Sequence, residues 1–394
     1  MTARQLKYGY FALAALNTLA SNFFFNYLFF FLRDRYGFGN RQNLWTSALY
    51  GFVYIFSAWQ CGKFAQRRGF VLSLKIGFLG LAIFMAAGGL IEPWYGILAI
   101  LVGYSVMLLF TWPALEALVS QNESRSGVQH MVGIYNCTWS AAAALSYFVG
   151  GSLYDWLGRG AVFWLPAGIF FGQYLLLLWL SGKRIEPAPP ASLESFPKSP
   201  EPAAFDQGIR PEGFLKMAWW ANPFAYVAMN TLLAVMPGIA ERLALSPSRV
   251  GLFCSIWFFA RLVAFAILWR WSGWHYHFRW LLTAYVTLML SFMLLLLAHD
   301  LWVFTAAQAL FGLAAGLIYY SSLYYSMDVG EASAEHGGLH EAAIGVGVCA
   351  GPAVGAAALQ FLPAHSNTGV FAVTSLLCVG LIGLLLLRRT QCVT

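Results

Sequence analysis

The chain has 394 residues, of which 60% are hydrophobic and only 10% are charged. Soluble domains are typically about 45–50% apolar and about 25% charged, and the mean hydropathy here is +0.65. This composition excludes a soluble globular protein, a disordered chain and a secreted disulfide scaffold, and it predicts a polytopic membrane protein.

The net charge of +7 does not indicate a nucleic-acid partner, because the basic residues are not clustered on one element. The six cysteines lie in or beside apolar runs or in the tail, and no pair has metal or redox spacing. We interpret them as small apolar side chains and predict no metal and no cofactor.

Twelve apolar runs are each long enough to cross the hydrocarbon core as a helix, which takes about 20 residues. Runs such as 281–297 lack the alternation of transmembrane β-strands. The predicted fold class is therefore all-α integral membrane. In chain order the predicted spans are 8–32, 43–61, 71–90, 96–119, 130–153, 161–181, 217–238, 249–270, 279–298, 302–326, 338–361 and 369–387.

The segment 182–216 has a different composition, since it contains seven of the 15 prolines together with acidic and basic residues. Such a segment cannot build a core and is typical of a flexible linker. It divides the chain into 1–181 and 217–394, each predicted to form a six-helix bundle.

The distribution of Lys and Arg predicts the orientation. With the N-terminus inside, the cytoplasmic loops and ends hold sixteen basic residues, the outer loops hold six, and Arg261 lies inside a span. We therefore predict that both termini and the linker are cytoplasmic, in the plasma (inner) membrane.

The two halves share a short sequence similarity. The residues 127–130 open the fifth span, the residues 337–340 open the eleventh, and each stretch ends in a histidine. Repeats of the same orientation imply a pseudo-two-fold axis along the membrane normal.

Six plus six helices, a long cytoplasmic linker and inside termini resemble the major facilitator superfamily over essentially the whole chain. The loop 62–70 is similar to that family's motif between spans two and three: Gly62, Arg67 and Gly69 match, followed by further basic residues, while Gln66 replaces an acidic residue. The resemblance implies a cytoplasmic gate in which this loop latches the halves together.

A second family feature, the glycine-rich fifth span with a Gly-Pro pair found in proton-coupled exporters, is absent from 140–151. A similar sequence appears in the eleventh span, at Gly345, Gly347, Gly351, Pro352 and Gly355. We interpret these glycines as sites of close helix packing. A multidrug/proton antiporter is therefore the alternative function rather than the first one.

Arg261 stands near the middle of the eighth span, with Trp257 one helical turn before it. A charge at this depth persists where it faces a cavity or a partner. No acidic residue lies at its depth on another span, so we interpret it as a ligand for an anionic or strongly polar group. A structural role, bonded to carbonyl or polar neighbours, is the alternative.

Amides and aromatic residues occur at similar depth. A pocket of amides, phenols and indoles with one arginine suits a polar or amphipathic anionic molecule. For each single amide, a bond to a neighbouring helix is the alternative. The predicted substrate-binding residues are Arg261, Trp257, Asn230, Asn136, Trp139, Asn22, Asn26, Tyr320, Tyr324 and Gln173.

Two acidic residues lie inside spans, Glu116 and Glu341, and either is a candidate proton carrier. Glu341, or Asp328 and Glu331 just before its span, is also a candidate partner for Arg67 or Arg68 across the two halves. The predicted gate comprises Gly62, Arg67, Arg68, Gly69, Asp328 and His340.

An enzyme is not predicted. The segment His340-Glu341 begins like a zinc-protease helix, but Ile344 stands where the second histidine ligand should be. A receptor or a lipid scramblase on the same scaffold is a further alternative. The predicted function is a monomeric secondary active transporter. It is expected to move a small polar or amphipathic, anionic organic solute by alternating access around a midplane site. Coupling to a proton or a sodium ion is left open.

Overall fold

The computed structural model describes residues 3–121, 125–183, 209–329, 334–362 and 367–391. Within these ranges the regular elements are α-helices and no β-strand is found, which confirms the all-helical prediction. The helices are α1 (Ala3–Tyr36), α2 (Asn40–Arg68), α3 (Phe70–Gly88), α4 (Trp94–Leu109), α5 (Trp112–Ser120), α6 (Arg125–Leu157), α7 (Ala161–Ser181), α8 (Pro211–Arg242), α9 (Pro247–Cys254), α10 (Ile256–Arg270), α11 (Phe278–Leu297), α12 (Leu301–Val329), α13 (Ala334–Phe361) and α14 (Thr368–Gln391).

Every predicted span corresponds to a helix or to a pair of consecutive helices. Counting α4 with α5 and α9 with α10, ten spans in the described ranges are long and apolar enough to cross a membrane. The helices α2 and α6 are also long, at 29 and 33 residues, but they are more polar. Together these helices account for the twelve predicted spans.

Two spans predicted as single helices are interrupted. The fourth breaks at Phe110 and Thr111 because the ring of Pro113 cannot follow a regular turn and has no amide hydrogen for Leu109. The eighth breaks at Ser255, whose hydroxyl donates to the Leu252 carbonyl at 3.0 Å. Such local bonds compete with the helix ladder.

The predicted loop 62–70 is almost entirely helical. The helix α2 continues to Arg68, past the predicted end of the span at residue 61, and α3 begins at Phe70. Only Gly69 separates them, with φ of +99°, a conformation that side-chain-bearing residues rarely adopt. The basic residues therefore lie on the last turn of a helix.

The connections between helices fall on two sides of the molecule. The amino-terminal side holds the start of α1 and the α2–α3 and α10–α11 connections. The opposite side holds the α1–α2, α3–α4, α6–α7 and α8–α9 connections. Contacts between the first seven helices and the last seven are made chiefly by α2 with α13, by α6 with α9 and α10, and by α1 and α2 with α8, and α5 also contacts α13.

On the opposite side, polar contacts join helices of the two halves. Arg33 of α1 forms an ion pair with Glu241 of α8. Asp155 of α6 accepts hydrogen bonds from the amide of Ser248, at 3.0 Å, and from the hydroxyl of the same residue in α9. The halves are therefore held together on this side.

Glycines bring the backbones of neighbouring helices close together. A Cβ added to Gly151 of α6 would lie 2.0 Å from the Pro247 carbonyl oxygen, and one added to Gly51 of α2 would lie 2.3 Å from the Cys349 amide nitrogen. Gly347 of α13 similarly meets the backbone of α8 at Pro223. The interpretation of the α13 glycines as packing sites is confirmed.

Gly151→Ala should therefore destabilise the protein, because the added methyl group meets backbone that cannot rotate away. Overpacking of this kind costs about 1–3 kcal/mol. The matched control is Gly172→Ala in α7, since nothing lies within 4 Å of a Cβ there. Thermal unfolding in detergent should show a lower midpoint for the first variant and an unchanged or higher one for the second. Equal midpoints would contradict the close approach.

Candidate functional site: a charged aromatic cavity

A cavity of about 190 Å³ lies between α1, α2, α4, α5 and α6 on one side and α8, α10, α12 and α13 on the other. A water takes up about 30 Å³ in the liquid, so the cavity has room for several waters. Of the predicted binding and proton-coupling residues, those that line it are Arg261, Trp257, Asn230, Trp139, Asn22, Asn26, Glu116 and Glu341.

Arg261 is held against this cavity with 6% of its surface exposed. The backbones of α12 and α10 pack closely, because glycines of α12 lie against α10. Gly312 meets Trp257 and Ala260, and Gly316 meets Arg261. This close packing leaves the cavity as the space open to the guanidinium.

Three aromatic rings surround the guanidinium of Arg261. Its central carbon lies 4.7 Å from the ring centroid of Trp139 and 5.1 Å from those of Trp257 and Phe258. The contact with Trp257 expected from the helical spacing is thus confirmed. Cation–π contacts contribute about 0.5–2 kcal/mol each, depending on solvation.

The hydrogen-bonding capacity of Arg261 is incompletely used. Nη1 lies 3.8 Å from the sulfur of Met229, a weak acceptor, and the buried Nε has no partner among the described residues. Within those residues no acidic side chain forms an ion pair with it. The guanidinium is therefore able to bind an acceptor in the cavity.

Glu116 of α5 and Glu341 of α13 line the same cavity. Glu341 accepts a hydrogen bond from the hydroxyl of Tyr54 at 2.5 Å, which connects α13 to α2. In the part of the chain that the structure describes, neither carboxyl group forms an ion pair. One cation and two acidic groups thus share one cavity without pairing.

Tyrosine dominates the rest of the lining. Tyr50 and Tyr54 are one turn apart on α2 and share a face, which helical periodicity could have revealed. Tyr319 was missed because the prediction selected its neighbour Tyr320, about 100° away around α12. The lining tyrosines are Tyr50, Tyr54, Tyr104, Tyr135, Tyr226 and Tyr319.

Residues 10–228 match a family model described as Major Facilitator Superfamily. The chain belongs to this superfamily. Members of this superfamily are integral membrane transporters that bind small molecules.

Solved structures of superfamily members share the fold. The nucleoside transporter NupG aligns with a TM-score of 0.69 and 12% identity over 98% of each chain. The POT family transporter PepTSo gives a TM-score of 0.73 at 12% identity, also over 98% of each chain. The human organic anion transporter MFSD10 (TETRAN) aligns with a TM-score of 0.67 and 14% identity, over 98% of this chain and 100% of its own. At these identities the likeness concerns the fold alone.

Among curated sequences, the chain is similar to multidrug resistance protein MdtG of Dickeya zeae (strain Ech586). They are 30% identical over 150 residues, which is 37% of this chain and 36% of the relative. MdtG of Citrobacter koseri is 27% identical over 150 residues, which again is 37% of this chain and 36% of the relative. The matched part thus spans about a third of these relatives.

Four of the residues predicted to bind substrate do not line the cavity. Asn136 accepts a hydrogen bond from Trp139 Nε1 at 2.8 Å and so positions an indole that does line it. Gln173 donates to the Leu13 carbonyl at 2.7 Å and joins α7 to α1. Tyr320 packs on Phe265 and Trp274, and Tyr324 stacks on His275 at 4.0 Å between ring centroids.

The amides that line the cavity differ in their bonding. Asn22 and Asn230 each donate to the carbonyl one turn earlier in their helix, at 3.1 Å. Asn26 is 2% exposed, and neither atom of its amide has a partner among the described residues. A buried polar group left without a hydrogen bond is costly, so Asn26 is a further candidate for a ligand contact.

The described residues of the predicted cytoplasmic gate form no ion pair with one another. Gly62 is buried in α2, while Arg67 and Arg68 are exposed at its end and form no ion pair with another described residue. Asp328 bonds to the hydroxyl of Tyr276, and His340 lies 3.4 Å from the hydroxyl of Ser322. Glu331 lies outside the described residues, so the latch between the halves stays a prediction.

The α10–α11 connection contains a half-buried histidine. His275 stacks on Tyr324, and burial lowers the pKa of its imidazole to about 4, while Asp328 acts in the opposite direction. The usual pKa of histidine is about 6.5. The unfolded chain therefore binds the proton at a higher pH than the folded protein does.

It follows that stability should fall as the pH drops from about 6.5 towards about 4, because protonation favours the unfolded state. His275→Phe keeps a ring against Tyr324 and removes the titration. Thermal unfolding of this variant should depend less on pH over that interval than that of the wild type. His299→Phe, at an exposed histidine, serves as the control. An unchanged pH dependence in His275→Phe would contradict the assignment.

Proposed function

We propose that this transporter moves a small polar or amphipathic organic solute with an anionic group, by alternating access around the cavity. Arg261 is the observation that carries the proposal. It is buried in an apolar helix, it lines the cavity, and no described acidic residue pairs with it.

The energetics favour a role in ligand binding for Arg261. A charged residue at the centre of a membrane helix costs at least about 2.5–3.5 kcal/mol on insertion scales. Aromatic rings and a thioether offset part of this cost, but they do not replace the hydrogen bonds that a guanidinium makes to an anion. A carboxylate, phosphate or sulfonate of the solute would supply them.

The proposed movement is a rocking of the halves 8–181 and 217–387, as six-helix bundles related by a pseudo-two-fold axis and joined by the linker 182–216. The contacts between Arg33 and Glu241 and between Asp155 and Ser248 indicate a state closed on the opposite side. From the distribution of basic residues, the amino-terminal side is proposed to be cytoplasmic, with both termini on the cytoplasmic side of the inner membrane.

A multidrug exporter is the second candidate function, and the similarity to MdtG proteins favours it. A cavity rich in tyrosine and tryptophan would accept many apolar molecules. In that case Glu116 or Glu341 would carry a coupling proton. The two functions differ in the charge of the preferred ligand and in its dependence on Arg261.

Arg261→Met should abolish stabilisation of the purified transporter by anionic ligands. A panel of organic anions, sugars, nucleosides, amino acids and lysolipids identifies the ligand, since a compound at 100 times its dissociation constant adds about 2.7 kcal/mol. Losing a hydrogen-bonded charge costs about 1.5–3 kcal/mol, or about tenfold to more than a hundredfold in affinity. Arg261→Lys should retain part of the binding.

The control is Arg270→Gln, an exposed arginine at the end of the same helix. Unchanged affinity in Arg261→Met would exclude the proposed role. Stabilisation by many unrelated hydrophobic cations, equal in both variants, would instead support the multidrug exporter.

Asp155→Ala should shift the transporter towards opening on the opposite side, because it removes two hydrogen bonds between α6 and α9. Spin labels at Arg41 and Arg249, both exposed on that side, should report longer distances than in the unsubstituted protein. Asp300→Ala is the matched control, since Asp300 bonds only amides at the start of α12, at 2.9 Å. Identical distance distributions in the two variants would refute the contribution of Asp155.

A further inference from the structure

The cavity brings charges of opposite sign together without pairing them. Arg261 contacts rings and a sulfur atom, whereas Glu341 bonds to Tyr54, and no ion pair links Arg261 to Glu116 or Glu341. Side chains of opposite charge in one protein cavity normally pair, because an unpaired charge away from water is unfavourable. Here the guanidinium and the two carboxyl groups line one cavity without forming an ion pair among the described residues.

Aromatic side chains form a series of ring contacts along the cavity wall that begins at the guanidinium of Arg261. Trp139 contacts the guanidinium and also packs on Tyr319, with ring centroids 5.6 Å apart. Tyr319 in turn faces Tyr226 across 6.4 Å. Tyr226 and Tyr319 line the same cavity as Glu116 and Glu341, and Glu341 is bonded to a further lining tyrosine, Tyr54.

A ligand with a single charge would satisfy only one end of this arrangement. A monoanion at Arg261 leaves the acidic pair without a partner and is repelled by it when the acids are ionised. A cation at Glu116 and Glu341 leaves the guanidinium unpaired and is repelled by it. A molecule with both charges forms favourable contacts at both ends, and a flat apolar body suits the walls.

We propose that the solute is dipolar. Its anionic group binds Arg261, and its protonated amine or other cationic group binds Glu116 and Glu341. An aromatic or other planar body lies between them against the tyrosines and Trp139. This inference rests on the proposed transport function and narrows its substrate class to zwitterions.

Equilibrium binding to matched ligand sets tests the charge requirement. One set is L-tryptophan, tryptamine and indole-3-propionate, which share a ring and differ in charge; the other is L-phenylalanine, phenethylamine and 3-phenylpropionate. The purified protein should bind the dipolar member of at least one set about tenfold or more tightly than both singly charged members.

Variants then test the residues. Glu116→Gln and Glu341→Gln should each reduce the preference for the dipolar member over the anion to about threefold or less, without weakening the anion itself. Two separate variants are used because Glu341 also connects α2 to α13. Glu212→Gln, at an exposed acidic residue of α8, should leave the preference unchanged. Binding is measured rather than uptake, because uptake also depends on any coupled proton.

The outcomes separate this inference from the proposed function. If the anions bind most tightly and this binding is lost in Arg261→Met, the dipolar substrate is excluded, but the proposed transport of an anionic solute is supported. Tightest binding of the amines, independent of Arg261, would overturn both. No binding by either dipolar ligand would overturn the inference. It would also fail if the Glu variants changed the pH dependence of uptake but not the binding preference, since these residues would then be proton carriers only.

Discussion

The charge of Arg261 can be kept inside an apolar helix only if the surrounding helices solvate it, and the architecture of the cavity follows from that constraint. Three aromatic rings from α6 and α10 contact the guanidinium, and the glycine face of α12 packs directly behind α10. This environment leaves the hydrogen-bonding capacity of the guanidinium incompletely used. In the proposed function such incomplete solvation is useful, because the unused hydrogen bonds of the guanidinium remain available to a solute.

The same constraint explains why the rest of the cavity is aromatic. Tyrosine and tryptophan present large apolar faces together with one polar atom, so they can line a space that holds water when empty and an organic solute when occupied. Tyr54 also bonds to Glu341, so the lining is connected to the contact between α2 and α13. A ligand that bound Glu341 would therefore act on a contact between the two halves, which links occupancy to the proposed rocking movement.

The two halves meet through surfaces of different character. At Gly51 and Gly151 the backbones of the two halves approach so closely that no side chain would fit. Polar contacts such as that between Asp155 and Ser248 lie beyond them, on the opposite side. Close backbone packing gives a definite closed state, and exposed polar contacts are weak enough to break. Such a combination suits a protein that must open and close repeatedly.

Composition and hydropathy by themselves determined the all-helical membrane class and the approximate position of every span, because a helix that crosses lipid must satisfy its own backbone and must be apolar along about 20 residues. The sequence also singled out Arg261, Glu116 and Glu341, since charges in such runs are rare. Only the tertiary structure decided which neighbours surround them. An error of one residue along a helix turns a side chain by about 100°, so Tyr319 lines the cavity while Tyr320 packs on α10. Gln173 likewise bonds α7 to α1, because the pairing of helices depends on shape complementarity between distant segments, which no local pattern encodes.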